Sequence, residues 1–280
     1  MGTSGEVDSM HHVIAGLDGS AASAHALRWA ADFAGRIGAS LMGARVFEPT
    51  QAELPPQQDR LMHEFQREEL EGWCVEFPSS TELLDGDPPD ALLDAARRRA
   101  TDLLVVGGRG SGGFADLHLG STAHHLARHT TVPLAIVTQT SDTVGHLVAG
   151  VDGSSGSLAA VEFCARLAPG LGVGVTAVHA FEPFAEWVPA SDPESWHSHA
   201  MAELEEWTAP IRDAGVPLET IVDRDIHPVA ALERALADHP DAAAVVGIRG
   251  RGGFAGLRLG RVPLQLVHHT GATVIVIPAR

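Results

Sequence analysis

The chain has 280 residues, 45% of them hydrophobic and 20% charged, which is typical of a globular protein with room for two ordinary domains. Its 36 acidic residues outnumber 19 basic ones, and the net charge of −17 argues against duplex nucleic acid or an anionic membrane as partner. No run of about 18 apolar residues predicts a membrane span, and no secretory signal is visible, so we expect a cytoplasmic protein. Cys74 and Cys164 predict neither a disulfide framework nor a zinc pair.

The first half of the chain alternates short apolar runs with segments of helical spacing. The predicted strands are residues 11–17, 40–47, 80–86, 102–107 and 132–137. A helix is predicted between each strand and the next. In the second of these helices we expect Leu61, Phe65 and Leu70 to face one side. Such alternation indicates right-handed crossovers and a parallel sheet.

The second half repeats the first. Asp18, in GLDGS, recurs as Asp152, in GVDGS, 134 residues later. The glycine-rich segments that begin at Gly107 and Gly247 also match, at an offset of 140. A repeat of this length indicates a duplicated domain and not a solenoid. We therefore predict two tandem domains, residues 1–142 and 143–280.

Two loops of each domain are suited to hold a ligand, because parallel sheets bind ligands at the carboxyl ends of strands where the strand order reverses. One loop carries Asp18, and the other has Gly107, Gly110 and Gly120 in the spacing G-x2-G-x9-G, followed by Ser121. Glycine amides can form a nest for an anion, and a helix N-terminus adds partial positive charge. Phosphate can thus be held although every basic residue is arginine, so the Walker pattern does not apply. For any single glycine loop, a tight turn without a ligand is an equally good interpretation.

Taken together, GLDGS after the first strand, FEP after the second, GDP before the third helix and G-x2-G-x9-GS resemble the universal stress protein family. The resemblance covers essentially the whole chain as two tandem copies. It implies an α/β fold with two Rossmann-like (adenine nucleotide alpha hydrolase-like) domains. Each would be a five-stranded parallel sheet in the order 3-2-1-4-5 with flanking helices. It also implies that ATP is bound, with or without Mg²⁺.

The resemblance assigns residues by position. Asp18 would contact the ribose or adenine side, Val46 would line the adenine pocket, and Arg109 could screen phosphate charge. The other assigned positions of the first domain are Gly16, Leu17, Gly107, Gly110, Gly120, Ser121 and Thr122. Those of the second domain are Val151, Asp152, Ala180, Gly247, Arg249, Gly250, Gly260, Arg261 and Val262.

The second domain departs from the pattern at three positions. Arg261 stands where the first domain has Ser121, so a hydroxyl donor is lost. Ala180 replaces Val46, and Ile226 replaces Gly86. Arg261 could contact phosphate, or it could fill the site. We expect both domains to hold nucleotide, with the first closer to the family pattern.

Other candidate groups are better explained by structure than by chemistry. His125 and His129 are four residues apart on a helix, but no acidic or cysteine partner completes a metal site, so none is predicted. Asp87, in GDP, is expected to act as a charge at a helix N-terminus. The tryptophans are expected to pack in the core or in loops; they are Trp29, Trp73, Trp187, Trp196 and Trp207.

The leading interpretation is a nucleotide-dependent regulatory module of the stress response. No catalytic residue is predicted, because no general base or acidic pair lies near the glycine loop in sequence. The alternatives are a slow ATPase or nucleotidyl-transfer enzyme and an adenine-cofactor protein like the electron-transfer flavoproteins. The fifth strand of each domain would be an apolar sheet edge. The two edges could pair within one chain as a pseudo-dimer, and chains could associate as a homodimer.

Overall fold

The computed structural model describes residues 10–48, 56–110, 119–138, 141–180, 193–223, 227–251 and 259–279. The chain divides into two compact units between Thr143 and Val144. None of the helices in the described ranges combines the length and apolar character needed to cross a bilayer.

The first unit is a five-stranded parallel sheet with helices between successive strands. Its elements are β1 (His12–Leu17), α1 (Ala21–Ile37), β2 (Ser40–Phe47), α2 (Pro56–Cys74), β3 (Ser79–Asp85), α3 (Pro88–Arg98), β4 (Leu103–Gly107), α4 (Ser121–His129) and β5 (Leu134–Val137). The strands pair in the order β3-β2-β1-β4-β5. The chain order therefore reverses at β1, where Gly16 lies opposite both Ala44 of β2 and Val106 of β4.

The second unit repeats this architecture. Its elements are β6 (His146–Gly150), α5 (Ser155–Leu171), β7 (Gly174–Ala180), α6 (Pro193–Trp207), α7 (Ala209–Asp213), β8 (Leu218–Asp223), α8 (Pro228–Ala237), β9 (Ala242–Gly247), α9 (Arg261–His269) and β10 (Thr273–Ile277). Its strands pair in the order β8-β7-β6-β9-β10. The predicted fold class and the strand order 3-2-1-4-5 are confirmed in both units.

The first helix of each unit has the end signals that its sequence predicts. The Ser20 hydroxyl accepts a hydrogen bond from the Ser23 amide at 3.1 Å and caps α1, which ends at Gly38 in the left-handed conformation. Ser154 and Gly172 occupy the same positions at the ends of α5. The capped turn fixes the loop that carries Asp18, or its counterpart Asp152, at the carboxyl end of the central strand.

Two predictions about packing are wrong. On α2, Leu70 is buried, but Leu61 and Phe65 are 65% and 57% exposed. The three residues do not share one side, because Leu70 points to the opposite side of the helix from the other two. On α6, Trp196 is 39% exposed and is not a core residue. Trp29 is buried as expected and stacks on Phe33 with 5.1 Å between ring centroids. Trp187 lies outside the described residues.

Candidate functional site

A cleft of about 660 Å³ opens at the carboxyl ends of β1, β2 and β4, where the strand order reverses. This volume is in the range of small-molecule sites. All ten residues that the sequence assigned in the first domain line it: Gly16, Leu17, Asp18, Val46, Gly107, Arg109, Gly110, Gly120, Ser121 and Thr122. The sequence had not identified the remaining lining residues, which are Ser23, Ala44, Arg45, Glu48, Gln66, Pro88, Leu92, Val106 and Ala123.

Asp18 lies at the centre of the cleft edge, directly after β1. Its Oδ1 accepts a hydrogen bond from the Ser20 amide at 3.0 Å. A Cβ atom at position 110 would lie 2.7 Å from Asp18 Oδ2, so glycine at 110 lets the glycine loop approach this carboxylate. The Ser20 hydroxyl reaches the Arg109 carbonyl at 3.5 Å. The two predicted ligand loops therefore contact each other.

Gly107 and Gly120 lie where β4 ends and α4 begins. A Cβ at position 107 would lie 2.8 Å from the Ala22 carbonyl carbon, so only glycine allows β4 to end against the start of α1. Gly120 is the N-cap of α4, and its own amide donates to the Gly108 carbonyl at 2.8 Å. The next amides, of Ser121, Thr122 and Ala123, have no acceptor within the helix. Together with two hydroxyls they line one end of the cleft, and such a set of donors at a helix N-terminus suits an anion.

The opposite end of the cleft is built by β2 and α2. Val46 contributes an apolar wall. The Arg45 guanidinium pairs with Glu69 at 2.7 Å and lies 4.7 Å above the Trp73 ring. The same ring packs on the turn after Asp18, since a Cβ at Gly19 would lie 2.9 Å from it. Arg45 and Trp73 thus connect the β2 end of the cleft to the Asp18 turn, a link that spans three segments and has no local sequence signal.

Two polar groups complete this end of the cleft. Glu48 places a carboxylate in the wall. Gln66 Oε1 is buried and has no hydrogen-bond partner among the described residues. By contrast, Asp87 is the N-cap of α3, as predicted, and Pro88 after it lines the cleft.

The second unit keeps the backbone arrangement of the first. Gly260 is the N-cap of α9, and its amide donates to the Ile248 carbonyl at 2.7 Å. A Cβ at Gly250 would collide with Asp152 Oδ2, and one at Gly247 would collide with the backbone of Gly156. The other assigned residues lie at the same edge: Val151 follows β6, Ala180 ends β7, Arg249 follows β9, and Arg261 and Val262 begin α9.

Hydrogen bonds hold Asp152 in its charged form. Burial alone would raise the pKa of Asp152. Hydrogen bonds to the carboxylate outweigh this effect and lower the pKa below its ordinary value. The donors are the Ser154 hydroxyl (2.5 Å), the amides of Arg251 (2.8 Å) and Ser154 (3.0 Å), and the nearby Ser157 side chain. The Arg251 guanidinium lies 5.1 Å from the Trp207 ring. The second glycine loop is thus tied directly to the aspartate turn.

The start of α9 offers fewer hydroxyl and amide donors than the start of α4. Arg261, Val262 and Pro263 occupy the first three helical positions, where α4 has Ser121, Thr122 and Ala123. Both hydroxyls are lost, and proline removes one amide donor. Arg261 is exposed and is the one new donor at this helix start. Ile226, which replaces Gly86, lies outside the described residues, as do residues 111–118 and 252–258.

The histidine pair on α4 has an acidic neighbour that the sequence had not identified. His125 Nε2 lies 3.6 Å from Asp90 Oδ1, and the rings of His125 and His129 stack at 4.2 Å. His129 Nδ1 donates to the His125 carbonyl at 2.9 Å, which commits one of its two nitrogens. Among the described residues, no group of three or more His, Cys, Asp or Glu side chains is arranged to hold a metal ion.

Comparison with known proteins identifies the family. The model of the Universal stress protein family matches residues 10–138 and 143–278. A universal stress protein of Mycobacterium tuberculosis is 30% identical over 289 residues, covering 94% of this chain and 95% of the relative. Another from the same species is 30% identical over 209 residues, and the match spans 70% of this chain but only 64% of the relative.

The fold agrees with this assignment. The crystal structure of a universal stress protein from Archaeoglobus fulgidus matches with a TM-score of 0.70 and 17% identity, covering 96% of this chain and 98% of that one. The resemblance indicated by the sequence motifs is therefore confirmed by both sequence and fold. The two units of the chain are tandem copies of one domain, and the chain belongs to the universal stress protein family.

Proposed function

We propose that this chain binds ATP in the cleft of its first unit and acts as a nucleotide-dependent regulatory module in a stress response. One observation carries the proposal: a single cleft joins an apolar wall at Val46 to the amides and hydroxyls at the start of α4. Asp18 follows β1, which lies between β2 and β4 in the sheet. An adenine base, a ribose and a chain of phosphates present the same order of chemical groups.

Each end of the cleft suits its part of the nucleotide. Leu92 and Val106 extend the apolar surface available to the base. The amides at the start of α4 and the hydroxyls of Ser121 and Thr122 would donate to phosphate oxygens without lysine. Mg²⁺ bound together with ATP would neutralise phosphate charge.

The test is calorimetry on the full chain with ATP, adenosine and inorganic tripolyphosphate. We expect ATP to bind more tightly than either fragment, because only ATP occupies both ends of the cleft. Ser121→Ala should weaken ATP binding about 3- to 10-fold, the range for one lost hydrogen bond. Ser80→Ala, at an exposed position of β3 outside the cleft, is the control and should bind as the wild type does. Equal affinity for ATP and tripolyphosphate would refute the assignment of the base end.

Slow ATP hydrolysis is the second candidate function, and the position of Glu48 favours it. Sequence spacing showed no acidic pair near the glycine loop, but Glu48 and Asp18 both line the cleft. Either carboxylate could orient a water molecule or help hold Mg²⁺. Multiple-turnover phosphate release that Glu48→Gln reduces at least tenfold would establish this activity. No release above the background of a Gly120→Val variant would exclude it.

Three further expectations belong to the proposal. We place the protein in the cytoplasm, which fractionation of cells that express it would test. The second unit is expected to bind ATP more weakly than the first, because α9 begins without hydroxyls and with one amide fewer. Pairing of the two fifth strands within a chain stays a prediction.

A further inference from the structure

The exposed apolar side chains of the described residues are concentrated on one helix. Leu61, Met62 and Phe65 on α2 and Val75 directly after it are 65%, 43%, 57% and 79% exposed. The one other large apolar side chain that is exposed in the described ranges is Trp196 on α6, the equivalent helix of the second unit. Exposed apolar side chains that cluster on one element of a charged surface indicate an interaction site.

These side chains form a stripe. Leu61, Phe65 and Gly72 follow helical spacing and therefore lie along one side of α2, over about 16 Å, and Val75 directly follows the helix. We call them the α2 stripe. A Cβ atom at Gly72 would meet nothing within 4 Å, so another chain can approach the helix closely there.

The fold does not require the stripe, because the second copy lacks it. Ser195 and His199 stand on α6 at the positions that match Leu61 and Phe65. The matching helix α6 still lies between β7 and β8, as α2 lies between β2 and β3, although it lacks those two apolar side chains. The α2 stripe is therefore a property of the first unit alone.

A row of charges runs beside the stripe and is self-complementary. Arg60, Glu64, Arg67 and Glu71 are all exposed and alternate in sign along the helix. None of the four takes part in an ion pair that the described residues form. Read in the opposite direction, the row is Glu, Arg, Glu, Arg with the same spacing. An antiparallel second copy of the helix therefore places opposite charges face to face.

We propose that α2 is the contact between two copies of this chain, packed antiparallel about a two-fold axis beside Phe65. Arg60 then faces Glu71 of the second copy, and Glu64 faces Arg67, so the symmetry gives four ion pairs. The two Phe65 rings meet near the axis, and each Leu61 lies towards Gly72 of the other copy. One helix face is at the small end of interface sizes, so the dissociation constant is expected in the micromolar range, about 10–100 µM.

The experiment is sedimentation equilibrium of the full chain without nucleotide, at about 1–300 µM, a range chosen to bracket that dissociation constant. The wild type should dimerise reversibly, and Phe65→Asp should raise the dissociation constant at least tenfold. Trp196→Asp, the exposed aromatic on α6, is the matched control and should dimerise like the wild type. A wild type that stays monomeric, a dimer unaffected by Phe65→Asp, or an equal loss with Trp196→Asp would overturn the proposal.

A charge exchange tests the pairing itself and guards against a folding defect. Arg60→Glu places like charges opposite each other and should weaken the dimer. The double variant Arg60→Glu/Glu71→Arg reverses both members of each pair and should restore it. Thermal melting of all variants should agree within a few degrees. Failure of the double variant to recover dimerisation would overturn the antiparallel arrangement.

Discussion

Replacing Gly120 by valine tests whether the start of α4 binds phosphate, as we propose. The backbone at Gly120 has φ −70° and ψ 157°, which any residue can adopt. A Cβ there would lie 3.4 Å from the Gly110 amide nitrogen and 3.5 Å from Arg109 Cα, which is ordinary van der Waals contact. Alanine should therefore fit, whereas the two methyl groups of valine extend into the space between the loop and the start of α4. We expect ATP affinity to fall by about 2 kcal/mol or more, roughly 30-fold.

The assay is isothermal titration calorimetry of the full chain with ATP and Mg²⁺. Gly120→Ala is the size control, with affinity close to that of the wild type. Gly260→Val makes the same change in the second unit and should cost less, because that site is expected to contribute less binding. Unchanged affinity in a Gly120→Val protein that melts normally would move the nucleotide away from this loop. A larger loss with Gly260→Val would reverse the ranking of the two units.

Three further predictions concern stability. The pKa of Asp152 is lowered in the folded state, so its charge stabilises the fold above the ordinary aspartate pKa. This stabilisation is lost as the pH falls through the folded-state pKa. Asp152→Asn should therefore lower the melting temperature more at pH 7 than at pH 3, and an equal decrease at both pH values would contradict this. The His146 ring stacks on His239 with 3.8 Å between centroids, and burial, followed by the charge of His239, lowers the pKa of His146. The fold should therefore lose stability as the pH falls below about 6.5. In urea titrations at several pH values His146→Gln should reduce this loss, and the same pH dependence of the unfolding free energy in both proteins would count against it. Arg45→Met removes both the guanidinium over the Trp73 ring and the ion pair with Glu69. It should therefore lower the free energy of unfolding by about 1–2 kcal/mol and change Trp73 fluorescence. If neither the stability nor the fluorescence changes, the stacking is not formed in solution.

The parts of the fold and cleft that sequence predicted have local signals. Gly107 and Gly110 are glycines because atoms of the first loop and of α1 approach closely there, and Ser20 is a recognisable helix cap. Parallel strands buried on both faces appear as apolar runs. The strand order and the ten assigned positions of the first domain came from the family resemblance, and the structure brings those ten residues into one cleft.

The features that sequence missed depend on contacts between distant segments. Arg45 reaches Trp73 and Glu69 across the space between β2 and α2, and no spacing rule indicates such a contact. Glu48 lies in the cleft because β2 ends there. The error on α2 is of another kind: Leu70 is about 140° around the helix from Phe65, so the three leucine and phenylalanine positions never formed one face. Pro263 is visible in the sequence, but the loss of its amide donor becomes significant only once α9 is known to begin at Arg261.

A crystal structure of the full chain grown with ATP and Mg²⁺ would show directly whether the cleft of the first unit binds the nucleotide. We expect adenine against Val46, ribose near Asp18, and phosphates on the amides and hydroxyls of Ser121 and Thr122. We also expect higher occupancy in the first unit than in the second. Nucleotide bound elsewhere, or found in the second unit alone, would contradict the proposal.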